Sequence, residues 1–300
     1  MDESRWIEAY IRPLVHSLGA DELRDDVALL TPATPLIVSM DTLVEGRHFL
    51  PADPLLTVGE KLICVNVSDI HAKGALPCEA LLSIAWPQAG TEAAFADLMQ
   101  GVERGLNRFE VSLIGGDLVE TPGPLTLTLT LTGQCLGSKP VRRSNAKPGQ
   151  GLYIDGEIGW GGLGLAAAKQ GADTLAAARY RVPEISTGQA AEQVAHWATA
   201  SLDVSDGLVL DVSRLAEASG CGYELDLGAI PLAQPSSEIA LILDQCVAGD
   251  DYRILIAAPA GISIPGFTEI GKVTQSLGGR MKYGEDEIKR PVTLGYQHGQ

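Results

Sequence analysis

The chain has 300 residues, enough for one large domain or two ordinary ones, and 45% hydrophobic residues supply a substantial core. Its formal net charge of −16 argues against a general nucleic-acid or membrane-surface binder, whose partners are themselves anionic. The acidic start MDESRW lacks the apolar segment of a signal peptide, no apolar run is long enough for a bilayer, and five scattered cysteines without a CxxC read as reduced thiols, so a cytoplasmic protein is expected.

Early in the chain, RDDVALL sets Asp25 and Asp26 before an apolar segment. Residues 35–40 read as a strand ending at Asp41, and residues 62–67 as another, followed by Asp69. Residues 80–86 alternate weakly, and residues 92–107 have helical spacing. VSLIGGDLVE places Asp117 behind two glycines. In PLTLTLTLTG, Leu125, Leu127, Leu129 and Leu131 alternate with Thr126, Thr128, Thr130 and Thr132, which predicts a strand in a sheet with one covered face. RRSNAKPGQG turns basic and then Pro/Gly-rich, and a domain boundary is placed near residues 147–149. Further strands are expected at 152–154, near 223–227, at 252–257 and at 267–273. In both halves, strands follow strands, so α+β fits better than a doubly wound sheet.

Two glycine patterns invite nucleotide readings. GWGGLG at 159–164 fits G-x-G-x-x-G, but no apolar strand with an acidic end completes the βαβ unit; the favoured reading is a tight turn permitting close backbone approach. GFTEIGKV at 266–273 has Val273 where a P-loop needs Ser or Thr, and reads as a strand with a turn.

The carboxylates carry more. In SLDVSDGLVLDV, Asp203 sits inside an apolar run, Asp206 reads as a helix N-cap, Asp211 lies on the helix, and Leu208, Val212 and Leu215 share one face. Five separate stretches end a buried-looking segment with Asp, although an isolated buried carboxylate is costly unless paired or bound to metal. Oxygen donors without Cys or paired His favour hard cations, Mg²⁺ above all. Several Mg²⁺ ions bridging carboxylates to a nucleotide make phosphoryl transfer the natural chemistry.

RDDVALL, SMDTLVEGRHF, KLICVNVSDIHAKGALP, LIGGD, RRSNAKPG, LDVSDG, AGDDY and GYQH, in this order and over nearly the whole chain, resemble the thiamine-monophosphate kinases of the AIR-synthase-like (PurM-like) superfamily. The resemblance implies an α+β N-terminal domain (1–140) that pairs strands with its copy in a homodimer, and an α+β C-terminal domain (141–300). It implies ATP-dependent phosphorylation of thiamine monophosphate to thiamine diphosphate, with several Mg²⁺ ions and ATP as co-substrate, and no nucleic-acid or membrane partner. By position in the motifs, Asp26, Ser39, Met40, Asp41, Asp69, Asp117, Asp203 and Asp206 are implied metal ligands, Met40 through its main chain because the family often has Thr there. Gly116, Asp117, Arg143 and Ser205 are implied ATP contacts, His48, Asp250 and Tyr296 substrate contacts, and Asp206 with Arg143 the catalytic pair. The chain departs from the family pattern at Arg24, Leu118, Val119, Asn145, Gln150, Trp160, Gly161, Ser186, Ala248 and Asp250, the last one methylene shorter than the usual Glu. The alternatives are a non-catalytic or regulatory nucleotide-binding paralogue, which has less reason to keep a costly acidic cluster, or another ATP-dependent enzyme of the superfamily. A selenophosphate synthetase needs a reactive Cys near its start, and the first 25 residues contain none.

Overall fold

The computed structural model describes residues 3–16 and 35–296, which form two compact units: the described residues up to Ile70 with Leu76–Cys135, and His71–Ala75 with the described residues from Leu136 on. The first contains the short helix α1 (Glu3–Trp6), then β1 (Leu36–Val44), α2 (Leu55–Ala72, which runs into the second unit), β2 (Ala75–Pro87), α3 (Glu92–Arg108), β3 (Ser112–Thr121) and β4 (Thr126–Cys135). Its four-stranded sheet has the order β1-β4-β2-β3, with β1 and β4 antiparallel and β2 and β3 parallel.

The alternation of β4 decides which face is covered: Leu127, Leu129 and Leu131 are fully buried. The other face carries Val38, Met40 and Thr42 of β1 opposite Thr132, Thr130 and Thr128. Val38 is 66% exposed and Met40 64%.

Residues 62–67 are not a strand; they are the middle of α2. Leu62, Ile63, Cys64, Val65, Asn66 and Val67 are all buried, so this helix shows no polar face from which a 3.6-residue period could be read. Glycines set its contact with α3: a Cβ at Gly59 would lie 2.3 Å from the Leu98 carbonyl oxygen, and one at Gly101 only 1.9 Å from that of Leu56. This close approach covers the side of α2 that faces α3, and β1 meets another side of it through Asn66.

The second unit contains β5 (Gly151–Asp155), α4 (Trp160–Lys169), α5 (Leu175–Arg181), α6 (Gly188–Trp197), β6 (Ala200–Val204), α7 (Leu208–Ala218), β7 (Gly222–Asp226), α8 (Ile239–Val247), β8 (Arg253–Ala258), β9 (Phe267–Thr274), β10 (Gly278–Tyr283) and β11 (Asp286–Ile288). The sheet order is β11-β10-β7-β9-β5-β8-β6, and all pairings except β10 with β7 are antiparallel. Helix α7 buries Leu208, Val212 and Leu215 in the core, as their spacing implies. The fold is therefore α+β in both units.

The GWGGLG turn opens α4, but β5, which precedes it, is flanked only by antiparallel neighbours. The backbone N–H groups of Gly159 and Gly161 donate to the Asp251 carboxylate at 2.8 and 3.0 Å, so the helix-start donors a dinucleotide phosphate would need are already taken. Gly161 is required sterically, since a Cβ there would lie 2.1 Å from the Gly249 carbonyl oxygen. GFTEIGKV is mostly strand β9. Among the described residues no helix is long and apolar enough to cross a membrane.

Candidate active site

In the first unit, strand alternation puts Ser39 and Asp41 on the face of β1 opposite Val38 and Met40. That face meets α2. The Asp41 N–H donates to Asn66 Oδ1 at 3.1 Å, and Ser39 Oγ donates to Asp69 Oδ2. Asn66 and Asp69 are three residues apart and share one face of the helix. Burial, then the charge of Asp69 and a hydrogen bond with it, push the Asp41 carboxyl up to about 7. Added positive charge is what would let this pair ionise fully.

His48 lies in the turn after β1. The Val44 N–H donates to His48 Nδ1 at 2.9 Å, so Nδ1 presents its lone pair and the ring proton resides on Nε2. Lys61, itself buried, donates to the His48 carbonyl oxygen at 3.0 Å and holds the turn.

Gly116 and Asp117 lie on β3, paired with Leu82 and Ser83 of β2. A Cβ at Gly116 would come within 1.8 Å of the Leu82 carbonyl oxygen, so strand pairing alone requires this glycine. Strands β1 and β3 are the two edges of the sheet. Asp117 alternates onto the outer face with Val119, whereas Asp41 faces α2, and three strand spacings of about 4.8 Å, roughly 14 Å in all, separate β1 from β3. Met40 points its side chain away from the Asp41–Asp69 pair. Asp25 and Asp26 lie outside the described residues.

In the second unit the DVSDG segment is tied to two other stretches by main-chain bonds. The Asp250 N–H donates to the Ser205 carbonyl, the Tyr252 N–H to that of Val204 and the Tyr296 N–H to that of Asp206, each at 2.8 Å. Asp203 lies on β6 opposite Ile254. Asp250 and Tyr252 both have left-handed backbones, with φ of 67° and 51°, and Tyr252 OH donates to Asp250 Oδ1 at 3.0 Å. Such strain persists only where surrounding bonds over-determine it. Here the bonds collect Ser205, Asp206, Asp250 and Tyr296 at one place.

Asp206 is not a side-chain cap. The N-cap of α7 is Gly207, and its side-chain position is empty. The Asp206 carboxylate instead accepts from Arg214 Nη1 at 2.5 Å, and the same nitrogen donates to Asp211 Oδ1 at 2.8 Å. Asp211 Oδ2 accepts the Asp206 N–H at 3.0 Å. Burial pushes the Asp211 carboxyl up to about 6, against the lowering effect of that N–H and of Arg214.

Arg143 is elsewhere. Its carbonyl oxygen accepts from Ser219 Oγ, at the C-terminal end of α7, and its side chain is exposed. Eleven residues of helix at about 1.5 Å each separate the two ends by roughly 16 Å, so Arg143 is not beside Asp206. The arginine beside Asp206 is Arg214, which the motif comparison passes over. The Asp211-x-x-Arg214 spacing on a helix was its only sequence signal.

Among the described residues no group of three or more His, Cys, Asp or Glu converges as a metal cage. The Asp41–Asp69 pair with the Ser39 hydroxyl nevertheless suits Mg²⁺, which is usually held by one or two carboxylates while substrate phosphates and water complete its shell.

Residues 24–135 match the family model of the AIR synthase related protein N-terminal domain, and residues 147–282 that of the C-terminal domain. The thiamine-monophosphate kinase of Caulobacter vibrioides is 34% identical over 98% of this chain and 90% of its own length. Of solved structures, AaThiL complexed with AMPPCP and TMP is 27% identical with a TM-score of 0.77, covering 87% of each chain. The thiamine-monophosphate kinase from Stenotrophomonas maltophilia K279a is 27% identical with a TM-score of 0.79, covering 94% of this chain and 96% of that one.

Proposed function

The chain belongs to the AIR synthase related protein family and within it to the thiamine-monophosphate kinases, and from that membership we propose that it transfers the γ-phosphoryl group of ATP to thiamine monophosphate, giving thiamine diphosphate and ADP. The observation that carries this reading is the Asp41–Asp69 pair, two carboxylates held together between β1 and α2, whose shared ionisation a cation would favour. A cytoplasmic protein is the matching expectation.

The acceptor is a phosphate monoester with a second pKa of about 6, so near pH 7 it is mostly dianionic and needs no general base. The obstacle is repulsion between two polyanions, and the chemistry is mainly positioning and charge neutralisation. Mg²⁺, when bound, supplies charge neutralisation on the phosphates. Asp41, Asp69 and Ser39 are the residues to hold it in the first unit, and Asp203 and Asp206 in the second, with Asp26 and the Met40 main chain as further ligands. Gly116, Asp117 and Ser205 line the nucleotide, and Arg143 contacts it and neutralises phosphate charge. His48 offers Nε2–H to the substrate phosphate. Asp250, steadied by Tyr252, faces the cationic thiazolium, and Tyr296 packs on a ring.

Purified protein incubated with ATP, Mg²⁺ and thiamine monophosphate is expected to form thiamine diphosphate. ATP binding without any such product would instead make the chain a non-catalytic paralogue.

The first unit's sheet supports a homodimer. Its outer face leaves Val38, Met40, Leu81 and Val119 exposed, a row of apolar side chains among threonines. Pairing β1 of each copy with β3 of the other, at both edges, would close the two sheets on one another, cover that face and bring the second copy's β3, with its Asp117, to β1. Light scattering at micromolar concentration is expected to give the mass of a dimer for the wild type and of a monomer for Val38→Glu. A wild-type monomer with full activity would refute it.

A further inference from the structure

We infer that Arg214 is the resident counter-ion of Asp206, a positioning residue that holds this carboxylate aimed until a divalent cation displaces it; this rests on the reading of Asp206 as a metal ligand. Arg214 stands two turns along α7 from Asp206, and helical side chains lean back toward the helix start, so the guanidinium reaches the N-terminal end of the helix. Nη1 alone touches both carboxylates, Asp206 Oδ2 at 2.5 Å and Asp211 Oδ1 at 2.8 Å. The two acidic partners differ in surroundings. The Asp211 side chain is 3% exposed and that of Asp206 23%, so solvent and ligands approach the bridge from the Asp206 side.

That asymmetry makes exchange feasible. A cation arriving at Asp206 must take the oxygen that Arg214 holds. Arg214 then retains Asp211, and Asp211 retains the Asp206 N–H through its other oxygen, so no buried charge is stranded. Were Arg214 only a structural partner for the buried Asp211, it would have no need of the second, more exposed carboxylate. Its Asp206 bond also fixes the rotamer of a side chain whose backbone is already pinned by the Tyr296 N–H.

The test is Mn²⁺ binding to nucleotide-free protein, followed by the electron-spin-resonance signal of free Mn²⁺, in wild type, R214Q, R214K, D206N and the D206N/R214Q pair. Removing a competing, partly exposed ion pair is expected to tighten the Asp206-dependent site about fivefold in R214Q. R214K, which restores a positive charge, is expected to return toward wild type. D206N is expected to abolish the site, and adding R214Q to it to change nothing. Thermal melting checks each variant; if R214Q does not fold, R214M, which keeps the packed stem, is measured in its place with the same expectation. Unchanged or weaker Mn²⁺ binding in R214Q or R214M overturns the proposal, as does equal tightening in R214K. Unchanged binding in D206N overturns the ligand reading of Asp206 itself, and the proposal with it.

Discussion

Asp206→Asn is expected to give a folded protein that makes thiamine diphosphate about 10²- to 10³-fold more slowly than wild type, on the scale of removing one preorganised stabilising group of roughly 3 to 4 kcal/mol. The substitution preserves shape and removes one charge. Its structural cost is small because the Asp206 side chain caps nothing: Gly207 is the N-cap of α7, and the Asp206 N–H and C=O bonds to Asp211 and Tyr296 are main-chain bonds that Asn keeps. What is lost is the pairing with Arg214, a partly exposed ion pair contributing at most about 1 kcal/mol to stability. A drop of a few degrees in melting temperature beside a hundredfold loss of turnover is the signature of a ligand. Near wild-type turnover in a folded variant would remove Asp206 from the chemistry.

Chelation should have a still larger effect. With EDTA in excess, ATP-dependent formation of thiamine diphosphate is expected to fall below detection, and Mg²⁺ to restore it. Ca²⁺ should restore it poorly, because its looser coordination does not hold phosphates in near-octahedral geometry. The argument rests on the Asp41–Asp69 pair. Desolvation and repulsion by Asp69 push the Asp41 carboxyl up to about 7, so a bound cation favours the doubly ionised pair near neutral pH. Without that cation, the triphosphate of ATP and the phosphate monoester of the acceptor would meet unscreened. Full activity in EDTA would eliminate the metal-dependent mechanism.

Several features were legible because they are local. Leucine–threonine alternation in β4 predicts a covered and an open face, since the pleat repeats every two residues. Helix α3 follows from its periodicity and from Thr91, whose hydroxyl accepts the Ala94 N–H at 3.2 Å. The tight-turn reading of GWGGLG holds for the same reason: Gly159 adopts a φ of 107°, in the left-handed region that favours glycine. Asp41 and Asp69 also stand among the implied metal ligands, and both lie at the same contact between β1 and α2.

Other features depend on distance through space. The LICVNV run misreads as a strand because both helices and buried strands can be apolar on every side, and the decision came from glycines that let α3 approach. Asp117 separates from Asp41 because β4 and β2, later and earlier in the chain, are inserted between β1 and β3. Arg143 and Asp206 belong to neighbouring motifs in a list, yet α7 stands between them as a rigid spacer.

By itself, then, the amino-acid sequence determined the α+β class, the family and the set of acidic residues, because these depend on residue type, short-range period and order along the chain. Only the tertiary structure decided which carboxylates meet, that Arg214 rather than Arg143 stands at Asp206, and that β1 and β3 are opposite edges of one sheet. The physical reason is that electrostatic partnership falls off over a few ångströms, and strand order and helix direction, which set those ångströms, arise from packing between segments far apart in the chain.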